Sequence, residues 1–119
     1  MFEPATIPNL PVTMIMRALA DPTRRALFER MAGASEITVA ELTRGSGVTQ
    51  GAISQHLKTL KQAGLVTERP EGRNVFYRVQ PDGLVPLVDW ISHYRVFWRD
   101  RLDGLRDLLN EIDPREIDP

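Results

Sequence analysis

Two helix-start signals stand eleven residues apart in "ITVAELTRGSGVTQGAISQHLKTLKQAGLV". That spacing is what most constrains this chain. Thr38 and Glu41 have the capping-box spacing, in which each side chain satisfies the other's free backbone N–H. Ile37 and Leu42 occupy the two positions of a hydrophobic staple. Thr49 is a second N-cap, with Val48 and Ile53 repeating the staple. The segment "RGSGVT" between them holds two glycines and is short enough to set two helices at a steep angle. The second helix runs to Ala63 and Gly64 stops it. The order helix, tight turn, helix is a helix-turn-helix unit.

The flanks extend it. Upstream, a helix is expected over Val12 to Leu19, with Met14, Ile15 and Leu19 apolar at helical spacing. It must stop near Ala20, because Pro22 disfavours helical geometry at Asp21. Asp21-Pro22 restarts a helix as N-cap and first position, with Ala26, Leu27, Phe28 and Met31 on its buried face and Gly33 at its end. Downstream, two β-prone runs, Leu65 to Arg69 and Asn74 to Val79, flank Pro70-Glu71-Gly72-Arg73, a hairpin with Arg69 and Arg73 together at its tip. A long last helix is expected from about Gly83 to Asn110, roughly 40 Å at 1.5 Å per residue. The fold class is therefore mainly α with a small β-hairpin, a winged helix-turn-helix of order α-α-α-α-β-β-α. Residues 1–11 are expected as an irregular arm, 12–110 as a single domain and 111–119 as a frayed tail.

Length and composition agree. The 119 residues suffice for one compact domain, and 42% apolar with 26% charged is ordinary for a globular protein. There is no cysteine, so disulfides and thiolate ligands are excluded. No apolar run approaches the roughly 18 residues of a membrane span, and "MFEPATIPNLP" lacks the pattern of a signal peptide. The expected location is the cytoplasm, without membrane contact. The net charge of −1 is unevenly spread: residues 38–78 carry six basic side chains against three acidic, for +3, and residues 79–119 carry five against nine, for −4. The middle third can face a polyanion and the tail cannot.

The helix after Thr49 carries the functional signal. At 100° per residue, Ile53, Leu57 and Leu60 fall within about 60° and form a core seam. Gln55 lies opposite, with Gly51, Lys58 and Gln62 near it and Ser54 to one side. Gln50, the first helical residue, can reach outward. Solvated helix faces usually carry mixed charges, yet no acid stands between Thr49 and Gly64. Amides and a hydroxyl suit base edges in a major groove, so Gln50, Ser54 and Gln55 are the candidates for base readout. Thr49 with the helix start, and Arg44, Lys58, Lys61, Arg69, Arg73 and Arg78, are the candidates for phosphate and wing contacts. A wing arginine can also enter a narrow minor groove. His56, about 60° off the seam, is expected at the domain edge, bonding backbone or phosphate.

"LADPTRRALFERM", "VTQGAISQHLKTLKQAGLV" and "EGRNVFYRV" resemble three consecutive blocks of the ArsR-type (ArsR/SmtB) family of bacterial winged-helix repressors, across about Ala18 to Val79. The resemblance implies a homodimer built from the first and last helices, presenting two recognition helices to a twofold-related DNA operator. The residues support a dimer independently. On the last helix Leu84, Leu87, Val88, Ile91, Tyr94, Trp98, Leu102, Leu105 and Leu109 form one stripe and Trp90, Phe97 and Leu108 a second, wider together than a helix packed only on its own domain needs. The expected interface is Met14, Ile15, Trp90, Ile91, Tyr94, Phe97, Trp98, Leu102 and Leu105. Trp90, Tyr94, Phe97 and Trp98 are read as core, with a pocket for a small-molecule effector as the other reading. Metal-sensing members of the family use cysteines before the recognition helix, where this chain has "ITVAELTRG", or His and carboxylate ligands on the last helices, where it offers Asp89 and His93, then Asp100 and Asp103. One imidazole per protomer is thin for such a site, and Asp89 with His93 is read as a surface pair. No metal, cofactor or enzymatic activity is expected. Ser54 and His56, two apart on a helix, point to different sides and make no catalytic pair. The alternative function is a winged helix that contacts proteins without binding DNA.

Overall fold

The computed structural model describes residues 9–112, whose elements run α1 (Leu10–Ala20), α2 (Pro22–Ala32), β1 (Ile37–Thr38), α3 (Val39–Thr43), α4 (Gln50–Gln62), β2 (Val66–Glu71), β3 (Asn74–Val79), α5 (Val85–Ser92) and α6 (Arg95–Asn110). They fall into two compact units, parting between Leu87 and Val88. Most of the expected arm and tail lies outside the described residues. Leu10 and Pro11, placed in the arm by sequence, belong to α1.

The first unit holds the core. Ile15, Met31, Leu42, Ile53, Leu57, Leu60, Leu65 and Val66 are almost wholly shielded from water, with Leu27 and Ile37 beside them. The caps form as expected. The Asp21 carboxylate accepts from Thr23 N–H, Thr38 and Glu41 close a capping box, and the Thr49 hydroxyl accepts from Ala52 N–H. At the far end of α4, Leu65 N–H bonds Leu60 C=O and Gly64 N–H bonds Lys61 C=O, the two bonds of a Schellman motif. That motif needs a left-handed residue after the cap, and Gly64 supplies it at φ 77°.

Three arginines of α2 do capping work that the sequence did not signal. Arg24 donates to the Ala18 and Arg17 carbonyls and Arg25 to Leu19, satisfying the end of α1. Arg30 donates to the Leu42 and Glu41 carbonyls at the end of α3. Ala26, expected on the buried face of α2, is exposed.

The wing is a three-stranded antiparallel sheet of order β1-β3-β2, one strand more than the expected hairpin. Ile37 pairs with Tyr77 and Thr38 with Phe76. The two-residue strand is hidden in the sequence because Ile37 and Thr38 also carry the staple and cap of α3. The hairpin loop is also tighter than expected. β2 runs through Pro70 to Glu71, which pairs with Asn74, so Gly72-Arg73 alone make the turn. Pro70 is tolerated because β2 is an edge strand.

The expected single long last helix is two helices. α5 ends at Ser92 and α6 begins at Arg95. The Ser92 hydroxyl donates to Val88 C=O, a back-bond that bends helices, and His93 and Tyr94 N–H turn to carbonyls three residues back, at Trp90 and Ile91. At 1.5 Å per residue α6 spans about 24 Å, not the 40 Å of an unbroken rod.

Candidate nucleic-acid interface

α4 presents two opposite surfaces. Its inward seam is Ile53, Leu57 and Leu60, each 0% exposed. Its outward front holds Gln50, Gly51, Ser54, Gln55 and Lys58, all exposed, and a Cβ added at Gly51 would meet nothing within 4 Å. Gly51 is therefore not required by the packing of the chain itself. Thr49 is exposed at the start of the helix, where free N–H groups point outward.

The turn that sets α4 against α3 is held by one side chain. The Ser46 hydroxyl donates to Thr43 C=O at 2.8 Å and accepts from Val48 N–H at 3.1 Å. Arg44, the residue after α3, is exposed beside this turn.

The candidate cations divide into two groups. Arg44, Lys58, Arg73 and Arg78 make no ion pair among the described residues. Among the described residues Arg78 hydrogen-bonds only the Thr67 hydroxyl, at 3.4 Å. Lys61 and Arg69 are engaged by acids: Lys61 pairs with Glu68, and Arg69 pairs with both Glu36 and Glu71. Arg69 thus leaves the hairpin tip, where sequence placed it with Arg73, and lies along the sheet. The Lys61 ammonium, then the Tyr77 hydroxyl, hold the Glu68 carboxyl below its ordinary range, while burial first and Glu68 second push the Tyr77 phenol up.

His56 is half-buried, as expected of an edge residue, and Asp21 is its charged neighbour. Its Nδ1 lies 3.7 Å from the Asp21 carboxylate and has no hydrogen-bond partner among the described residues. The histidine brings α4 beside the cap of α2.

Among the expected interface residues, Ile15 is corrected: it is 1% exposed within the core of its own unit and cannot face a partner. Its helical position fits either role by spacing, and α2 and α4 have claimed it. Met14 on the neighbouring face is exposed. In the second unit Ile91, Tyr94, Phe97, Trp98, Leu102 and Leu105 are exposed and Trp90 is half-buried. The expectation that the aromatic cluster is core does not hold within the single chain: α6 has no buried residue. Trp90 and Tyr94 meet edge to face at 5.2 Å, Phe97 and Trp98 at 5.3 Å, and together with Ile91 they line an open hollow of about 300 Å³. Asp89 and His93 are exposed, and no group of three or more metal-ligating side chains exists among the described residues. No described helix is long and apolar enough to cross a membrane.

A capped helix with an amide-rich, acid-free front, followed by a small sheet with a basic turn, defines a winged helix-turn-helix regulator of transcription. Comparison with known proteins agrees. A family model for a helix-turn-helix domain matches residues 19–69. The HTH-type transcriptional regulator Rv2034 of Mycobacterium tuberculosis is 43% identical over 94 residues, 79% of this chain and 84% of that protein. The arsenic resistance transcriptional regulator ArsR1 of Pseudomonas putida is 36% identical over 79 residues, 66% of this chain and 59% of its own length. A solved structure described as a possible transcriptional regulator for arsenical resistance superimposes with a TM-score of 0.59 at 40% identity, over 77% of this chain and 92% of its own. The chain belongs to the ArsR/SmtB family of DNA-binding transcriptional regulators.

Proposed function

We propose that the chain is a homodimeric repressor that reads a twofold-symmetric operator with α4 in the major groove and the wing along the adjacent backbone. The observation that carries this reading is the uncovered front of α4. Gln50, Ser54 and Gln55 are exposed while the opposite seam is sealed, so three groups able to pair with base edges face outward together. Thr49, Arg44 and Lys58 around the helix, and Arg73 and Arg78 on the wing, supply phosphate contacts. Lys61 and Arg69 can join them only by leaving their carboxylates.

Support for the dimer comes from the second unit. Ile91, Tyr94, Val96, Phe97, Trp98, Leu102, Leu105, Leu108 and Leu109 are each at least 41% exposed, an apolar surface that asks for a cover. A second copy is that cover. Small apolar effectors compete for the hollow among Trp90, Ile91, Tyr94, Phe97 and Trp98. A dimer reads half-sites about one helical turn, roughly 34–36 Å, apart.

A shift assay with DNA from upstream of the chain's own gene tests the reading. Gln55→Ala should lose about 1–3 kcal/mol of discrimination at one base pair of each half-site. Light scattering should give twice the chain mass, and Phe97→Asp should lower it to one. Unchanged base preference across Gln50, Ser54 and Gln55 variants, together with DNA binding by a monomer, would refute the model. Failure to bind any duplex at low salt would favour a winged helix used for protein contacts.

A further inference from the structure

Arg69 is the most fully engaged cation on the wing. It stands on the outer face of the sheet, opposite Phe76, and its guanidinium lies 5.0 Å from the centre of that ring. Its Nε and one terminal nitrogen fork onto both oxygens of Glu36 at 3.0 and 2.9 Å, and the other terminal nitrogen reaches Glu71 at 2.7 Å. Glu36 precedes β1 and Glu71 ends β2, so the clamp crosses all three strands. A bidentate fork onto a carboxylate is the same geometry that an arginine would offer a phosphate. Leaving Glu36 for DNA would exchange one such contact for another and leave two carboxylates facing the phosphate backbone. The Arg69 fork in turn holds the Glu36 carboxyl below its ordinary range, so the clamp stays charged at neutral pH.

We propose that Arg69 is a positioning residue, not a phosphate ligand, and that Glu36 and Glu71 withhold its charge from DNA so that the wing adds little affinity for sequences α4 does not recognise. This rests on the DNA-docking model above. The outer face of the sheet carries Arg69 and Arg78 against Glu36 and Glu71, equal in number. Phosphate contact by the wing is thereby confined to Arg73 in the turn and to Arg78. Weak affinity for arbitrary sequence is as necessary to a regulator as strong affinity for its site, because specificity is the difference between the two.

The test uses the full chain with two duplexes of equal length, one from upstream of its own gene and one scrambled, titrated across salt concentrations. Each phosphate contact contributes a slope of about 0.9 in log affinity against log salt, or about eightfold in affinity near 0.1 M. Glu36→Gln should raise affinity for the scrambled duplex by about that factor, steepen its salt slope by about 0.9, and narrow the ratio between duplexes. Arg69→Gln should leave both slopes unchanged, whereas Arg73→Ala should lower both by about 0.9. A slope loss for Arg69→Gln equal to that of Arg73→Ala would overturn the clamp. So would a Glu36→Gln variant that binds scrambled DNA no better than the parent. In either case the parent still binds its own duplex, so the docking model survives. Failure of the parent to bind either duplex would overturn both.

Discussion

Gly51→Ala separates the needs of the fold from those of the ligand. Gly51 is the second residue of α4, exposed and helical, and an added Cβ meets no atom within 4 Å. Alanine in a helix interior is better than glycine by about 1 kcal/mol, and in the first turn about half of that is expected. Unfolding entropy of about 2.1 cal/mol/K per residue over 119 residues is about 0.25 kcal/mol/K, so Tm should rise by roughly 2 °C. The DNA side should move the other way. If the α4 backbone approaches the groove closely at this point, the methyl is an overpacking of about 1–3 kcal/mol, or roughly 5- to 150-fold in affinity. Differential scanning calorimetry and a fluorescence-anisotropy titration against operator DNA measure the two effects on one preparation. A higher Tm with unchanged DNA affinity would refute the close approach. A lower Tm would refute the reading of Gly51 as free of packing.

Three further outcomes follow from the packing and the ion pairs. Leu57→Ala should cost about 2–5 kcal/mol, read as a lower denaturant midpoint at unchanged m-value, because Leu57 is wholly buried in the α4 seam. Gly83→Ala should destabilise, since its Cβ would stand 2.6 Å from the Gly64 carbonyl oxygen and 3.1 Å from Leu65 Cα; a cost of about 1–3 kcal/mol lowers Tm by roughly 4–12 °C. Glu36 and Glu68 have folded pKa values depressed by Arg69 and Lys61, so their contribution to stability is complete above the ordinary carboxylate range and is lost as pH falls through the folded values. The denaturant midpoint should therefore drop on acidification below about pH 4.3, and the double variant Glu36→Gln, Glu68→Gln should flatten that drop.

What could be read from sequence was what the chain settles locally. Thr38 with Glu41, Thr49, and Gly64 each act within five residues, and each cap stands where its spacing put it. The front of α4 was legible for the same reason: helical period alone separates Ile53, Leu57 and Leu60 from Gln55 and Lys58. Non-local choices were not. β1 forms only because Ile37 and Thr38 find Tyr77 and Phe76, some 40 residues away. Arg69 and Glu36 are 33 apart, so counting charges gave +3 for residues 38–78 without showing that two of those cations are already matched. Ile15 satisfied helical spacing for either an interface or a core. The end of α5 has no glycine or proline to mark it; what stands there is a serine whose hydroxyl bonds its own helix.

The Gln80–Gly83 turn joins parts that sequence order keeps separate. Gln80 N–H bonds Leu65 C=O just beyond α4, where β2 begins, and Gly83 is pressed against the Gly64 carbonyl. The tail of α4, the root of the wing and the lead-in to α5 are thus tied in one backbone hitch. A change at that hitch is felt at the end of α4 and the start of β2 together, because Gly64 and Leu65 close the one and lead directly into the other.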